Sequence, residues 1–357
     1  MRHLSKMKEN VLSVYKKARL LFQDWLSEEE DLIGFEFGTV KAPGLSDLDL
    51  GVIIKEGGRI SNQELTNALE SFPSKISRVM NGGTLMIFKE NNFKQINYID
   101  DINVTFFNND TFELSLPSNN ERDFIGIIQI IEWLPERIAK IEKEIVNPLK
   151  NTKRLIGFYY SLCYTLEKII YYTGSSEELT EFINKTKNLR KNWINNTPKM
   201  NNAALKSIEK TYLKVCYNAI IRFSEFVRSS NLIFDKYNWS DIFINYNLHS
   251  NVNLQYKKAF QYSDFVSHED NKLKILVPIE FLSSYILYSH SNSVLGNKIR
   301  KRFITKGFNV DLITDAINPN IKHVLDIREN VFSEMFDFIY SNEINRGLYK
   351  FGWYLND

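Results

Sequence analysis

The sequence predicts an α+β chain: a mixed sheet with helices in the N-terminal third, followed by a mainly helical remainder. Two observations carry that expectation. Up to about residue 120, short apolar runs of four to eight residues alternate with turn residues and one or two helix-periodic stretches. After Asn119 the texture changes to long segments with apolar residues every three or four positions. The chain has 357 residues, 43% hydrophobic and 25% charged, which suits folded domains and not a disordered chain. Three regions are expected: 1–120, a sheet-containing domain; 121–231, a helical bundle; and 232–357, mixed and mostly helical.

Each element has a local reason. Leu4, Met7, Val11, Tyr15, Ala18, Phe22 and Trp25 mark one face of a helix, which the acidic run 27–31 ends. Leu32–Phe37 reads as a strand closed by Gly38-Thr39. The loop 40–46 holds Pro43 and Gly44, and Asp47–Ile54 reads as a second strand. Ser61 with Glu64 three residues on is a capping-box pattern. It opens a helix to about Met80, interrupted by Pro73. Strands are then expected at Thr84–Phe88, Phe93–Ile99 and Ile102–Phe107, giving a sheet of four or five strands. Helices are expected at 122–147, 152–173, 177–195 and 199–230, broken at Pro148, Gly174 and Pro198. Beyond 232 the expectations are a strand at Leu273–Val277 and helices at 283–288, 294–305 and 321–340.

Composition narrows the function classes. With 45 Lys+Arg against 43 Asp+Glu, the net charge of +2 gives no global basic field. Two cysteines, Cys163 and Cys216, within helical patterns exclude a disulfide framework and point to a reducing, cytoplasmic compartment. No apolar run reaches the ~20 residues of a membrane span. The five histidines show no zinc-ligand spacing, and His268-Glu269-Asp270 reads as a polar turn.

One segment carries chemistry: Gly38-Thr39, a spacer, then Pro43-Gly44-Leu45-Ser46-Asp47-Leu48-Asp49 leading into an apolar strand. On a strand Asp47 and Asp49 share a face, and Leu48, Leu50, Val52 and Ile54 share the other. Two carboxylates so placed repel one another unless a cation lies between them, and Mg²⁺ takes carboxylate oxygens together with substrate phosphates. The Gly38-Thr39 turn lets backbone N–H groups approach an anion closely. Lys41 is either a phosphate-facing cation or a solvated loop lysine. Ser46 either bonds a phosphate or holds the turn before Asp47.

This segment resembles the signature of the polymerase-beta-type nucleotidyltransferase superfamily, over about 75 residues from Leu32 to Phe107. The resemblance implies a palm-like fold for the first domain. It also implies transfer of a nucleoside monophosphate from an NTP to an acceptor, with Mg²⁺ or Mn²⁺ held by Asp47 and Asp49. Gly38, Thr39, Lys41 and Ser46 would cradle the triphosphate. The superfamily adds a third carboxylate from a later strand. Asp101 and Asn103 share one face of the candidate strand with Thr105. The apolar frame sets the third acid most naturally at Asn103, which cannot serve as a general base, and Asp101, nearer the strand's start, is preferred. The acceptor, whether a small molecule, an RNA end, a protein or a second nucleotide, is left open. If Asn103 is the equivalent position, a nucleotide-binding module of feeble turnover acting through a partner is the alternative. The cluster Lys298, Arg300, Lys301, Arg302 and Lys306 keeps open a third, an RNA-binding protein on the same scaffold.

Overall fold

The computed structural model describes the chain except residues 1, 39, 41, 43–44, 47, 61–71, 74–84, 101–102, 108–111, 194, 231, 234–243, 250–251, 258–259, 282–286, 289–290, 293, 306–309 and 342–357. It is a mixed α+β protein with two small mixed sheets. The chain divides into two compact units, residues 1–118 with 327–351, and residues 119–326 with 352–357.

In the first unit, helix α1 (Arg2–Leu26) precedes strands β1 (Leu32–Phe37), β2 (Asp49–Ile54), β3 (Leu85–Lys89) and β4 (Val104–Phe106). The sheet order is β3-β2-β1-β4, with β2 antiparallel to β1, β3 parallel to β2 and β4 antiparallel to β1. Tyr15, Ala18, Phe22 and Leu26 recur at helical spacing along α1 and pack on Leu48, Leu50, Val52 and Ile54, all buried. Burying each of those side chains contributes roughly 1.5–3 kcal/mol, so this face fixes the register of β2. The opposite face is aromatic: Phe35, Phe88, Phe93, Phe106 and Phe112 meet edge-on or tilted. Gly51 lies under the Phe35 ring, where a Cβ would come within 2.2 Å of it.

The strand expected at Phe93–Ile99 is not a strand. A short helix α2 (Glu90–Phe93) and a 3-10 turn (Ile96–Tyr98) occupy it. Phe93, Ile96 and Ile99 are buried at a spacing of three, a helical period that a short apolar window disguises. Ile102 and the helix expected to begin at Ser61 lie outside the described residues.

The second unit opens with the long helices α3 (Asn119–Ile145), α4 (Thr152–Thr173), α5 (Glu177–Asn192) and α6 (Pro198–Ser230), close to the expected spans. Asn151 caps α4 by accepting from the Lys153 and Arg154 N–H groups, and Gly174 closes it at φ +81°. Pro198 opens α6, where a missing N–H costs nothing. The region after 232 was expected to be mostly helical with one strand. Its described residues instead form a four-stranded sheet, order β5-β6-β8-β7, from β5 (Ile244–His249), β6 (Val252–Lys257), β7 (Val266–Glu269) and β8 (Lys272–Pro278). Asp270 and Asn271, both at positive φ, make the two-residue turn between β7 and β8. Helices α3 and α6 lie against β8. Helices α7 (Val294–Thr305), α8 (Val310–Ala316) and α9 (Pro319–Ser341) follow. Among the described residues no helix is long and apolar enough to cross a membrane.

Candidate active site

The strand pairings gather the site at one end of the first sheet. β1 runs towards that end and finishes at Phe37, paired with Asp49, the first residue of β2. Phe37 also pairs with Val104, and the Gly38 N–H donates to the Asn103 carbonyl at 2.8 Å, carrying the β1–β4 ladder one step further. The end of β1 and the starts of β2 and β4 therefore stand side by side. Gly38 lies between the two starts at φ +71°, a left-handed backbone that an L side chain adopts only at a cost. Among the described residues, a Cβ there would meet nothing within 4 Å. The glycine is required by its backbone.

Asp49 is half-buried on the aromatic face of the sheet, on the same side as Phe37 and Val104. Leu48 and Leu50 point to α1, so the alternation expected of this strand is present where it is described. Asp47, Thr39, Lys41 and Asp101 lie outside the described residues. Among those that are described, no three His, Cys, Asp or Glu side chains form a metal-holding group.

Ser46 is buried, and its Oγ accepts the Ala42 N–H at 3.0 Å. The Leu45 and Ser46 N–H groups both donate to the Ala42 carbonyl. The Ser46 carbonyl accepts from the Tyr15 hydroxyl at 2.6 Å. The serine thus ties the turn that delivers the acidic strand, and α1 fastens that turn from outside. Helix α1 also grips β1. Arg19 donates from Nε and Nη to both oxygens of Glu36, at 2.5 and 2.6 Å, and this pairing holds the guanidinium above its ordinary pKa. Sequence reasoning gave Glu36 no role; an Arg seventeen residues away on another element leaves no local signal.

Asn103 is exposed and opposite Gly38, so strand parity sets it with Glu36 and Thr105, on the α1 side of the sheet and away from Asp49. Strand β4 is also separated from β2 by β1, and two strand spacings amount to roughly 9.5 Å. A carboxylate at position 103 would face away from Asp49. The stretch before it is pinned by a residue the sequence did not mark. Arg328 of α9, wholly buried, donates from Nη1 to the Tyr98 and Ile99 carbonyls at 2.6 and 3.0 Å. The sequence position of Asp101 is therefore bracketed by two anchors, Arg328 on residues 98–99 and Gly38 on residue 103.

Comparison of the chain with protein-family models, with curated proteins and with solved structures gave no match.

Proposed function

We propose that this protein is a metal-dependent nucleotidyltransferase, moving a nucleoside monophosphate from an NTP to an acceptor nucleophile. The observation that carries the reading is the pairing at one sheet end. A left-handed Gly38 closes β1 beside Asp49 at the start of β2, with a buried, hydrogen-bonded turn delivering Asp49. A palm-like first unit suits this arrangement. Asp49 with Asp47 would hold Mg²⁺ or Mn²⁺, which when bound neutralises the triphosphate and supports charge on the transferred phosphoryl group. The Gly38 N–H is taken by the Asn103 carbonyl, so Gly38 would serve through its left-handed turn, and the Thr39 backbone N–H, with Lys41 as an added cation, would meet the phosphate oxygens. Ser46 acts by holding the turn. Asp101, preferred over Asn103, would complete the carboxylate set and orient the acceptor.

Calorimetric titration with ATP, GTP, CTP and UTP, with Mg²⁺ and then with EDTA, tests the reading, followed by pyrophosphate release. Metal-dependent binding with pyrophosphate release is the expected result. Equal NTP affinity in EDTA would remove the metal platform. Binding without release would favour the nucleotide-binding module, to which the amide at position 103 lends its only support.

A further inference from the structure

The formal +2 of the chain is unevenly shared: counted from the sequence, the second unit carries +7 and the first −5. On that basic unit, the face of α4 opposite its core is aromatic. Leu155, Tyr159, Leu162, Leu166 and Ile169 are buried against the bundle, whereas half-buried Tyr160, exposed Tyr164 and half-buried Lys168, whose ammonium also meets Gln129, follow one another at intervals of four on the other side. Tyr164 is 41% exposed, and Tyr171, further along, is 74% exposed. The Tyr164 hydroxyl donates to that of Tyr160 at 3.1 Å.

Cations interleave with these rings. The Arg190 guanidinium of α5 lies over the Tyr160 ring, 3.6 Å from its centre. Trp133 of α3 is flanked by Arg137 at 4.8 Å and Lys168 at 5.3 Å. The stripe therefore runs from Trp133 through Lys168, Tyr164 and Tyr160 to Arg190, spanning about 12 Å along α4. Glu167 is the acid beside it, and Lys187 pairs with it. Exposed Tyr164 and half-buried Tyr160 and Trp133, set among cations, match the needs of a strand that carries both phosphates and bases. Cations supply the salt-sensitive attraction to phosphate, and rings supply stacking that accepts any base.

We propose that the outer face of α4, with the neighbouring side chains of α3 and α5, binds single-stranded nucleic acid. Resting on the transferase reading, this makes a polynucleotide strand the acceptor class.

The test uses the full chain without NTP or metal, and fluorescence anisotropy of labelled oligouridylate, oligothymidylate and a duplex across a salt series. Expected are binding of single strands in preference to duplex and an affinity that falls linearly on a log–log salt plot. Tyr164→Ala should weaken binding about tenfold or more, and Tyr164→Phe, which keeps the ring, should retain it. Lys187→Gln with Arg190→Gln should flatten the salt slope, with circular dichroism confirming an intact bundle. RNA bound in preference to DNA, or both bound alike, supports the proposal and separates the two sources. Three results overturn it: no salt-sensitive binding, equal retention of duplex, or an unchanged Tyr164→Ala affinity with polyglutamate competing as well as the oligonucleotide, which would mean an acidic protein partner. Asp49→Asn keeps the two readings apart, because it should abolish NTP binding and leave strand binding untouched.

Discussion

Gly38 and Asp49 sit one register step apart yet are constrained differently. Gly38 is fixed by backbone angle, since none of the described residues would collide with a methyl group there. Gly38→Ala should therefore cost about 1–2 kcal/mol, the penalty of a left-handed alanine, without a packing defect. Its thermal unfolding should shift by a few degrees while NTP affinity falls further, if the neighbouring N–H groups cradle phosphate; isothermal titration alongside the melt checks both. On the proposed reading, Asp49 is fixed by chemistry. Asp49→Ala, and likewise Asp47→Ala, should lower pyrophosphate release at least ~10³-fold, several kcal/mol of metal-borne stabilisation, with an unchanged melt. The third carboxylate is decided by a pair of substitutions. Asp101→Asn should end turnover and spare Mg²⁺–NTP binding. Asn103→Asp should change little, because position 103 shares the α1 side of the sheet with Glu36. A gain of activity from Asn103→Asp would reverse that assignment.

At the scale of elements, α3 carries an interior acid whose titration is linked to folding. Burial pushes the Glu142 carboxyl up to about 7 from an ordinary 4.5. The His268 ring nitrogen is 3.8 Å away, and the Tyr159 and Cys216 side chains face the same interior. The folded state holds this proton more tightly than the unfolded chain does. Its contribution is thus complete below about pH 4.5 and declines as pH rises towards 7, by roughly a few kcal/mol. Glu142→Gln should flatten chemical-denaturation stability across that window; a variant as pH-dependent as the parent would place the titration elsewhere. Elements also show what the sequence made legible. The bundle helices were readable because each repeats its apolar spacing over four or more turns, and Pro148, Gly174 and Pro198 separate them. Strands β5 and β6 were missed although Ile244, Tyr246, Leu248 and then Val252, Leu254, Tyr256 alternate with Asn, Gln, His and Lys. That period of two was present, but the Asn-rich composition masked it. The Phe93–Ile99 segment failed in the other direction, since its four apolar residues in seven, Phe93, Ile96, Tyr98 and Ile99, do not separate the two periods.

Across the whole molecule, the legible part of the site was the contiguous part. The segment from Gly38 to Asp49 reads from sequence because its residues are neighbours in the chain, whereas the Tyr15, Arg19 and Arg328 contacts join residues far apart. Arg328 is the extreme case. Removing its side chain by Arg328→Met leaves the Tyr98 and Ile99 carbonyls without this donor, at about 1–3 kcal/mol for each buried acceptor. Two unfolding transitions should then separate in calorimetry, with the first unit melting earlier and the α3–α6 helices melting as in the parent. A single shifted transition would show that the two units unfold together.

The same contact has a consequence in time. Arg328 and Tyr98 are 230 residues apart, and at roughly 5–20 residues per second a ribosome needs on the order of 10–50 s to travel between them. A nascent chain therefore presents its β-strands well before the arginine that secures the turn leading into β4 has been made. Until then the turn ahead of Asp101 lacks its clamp, so the acidic end of the sheet gains its final anchorage late in translation.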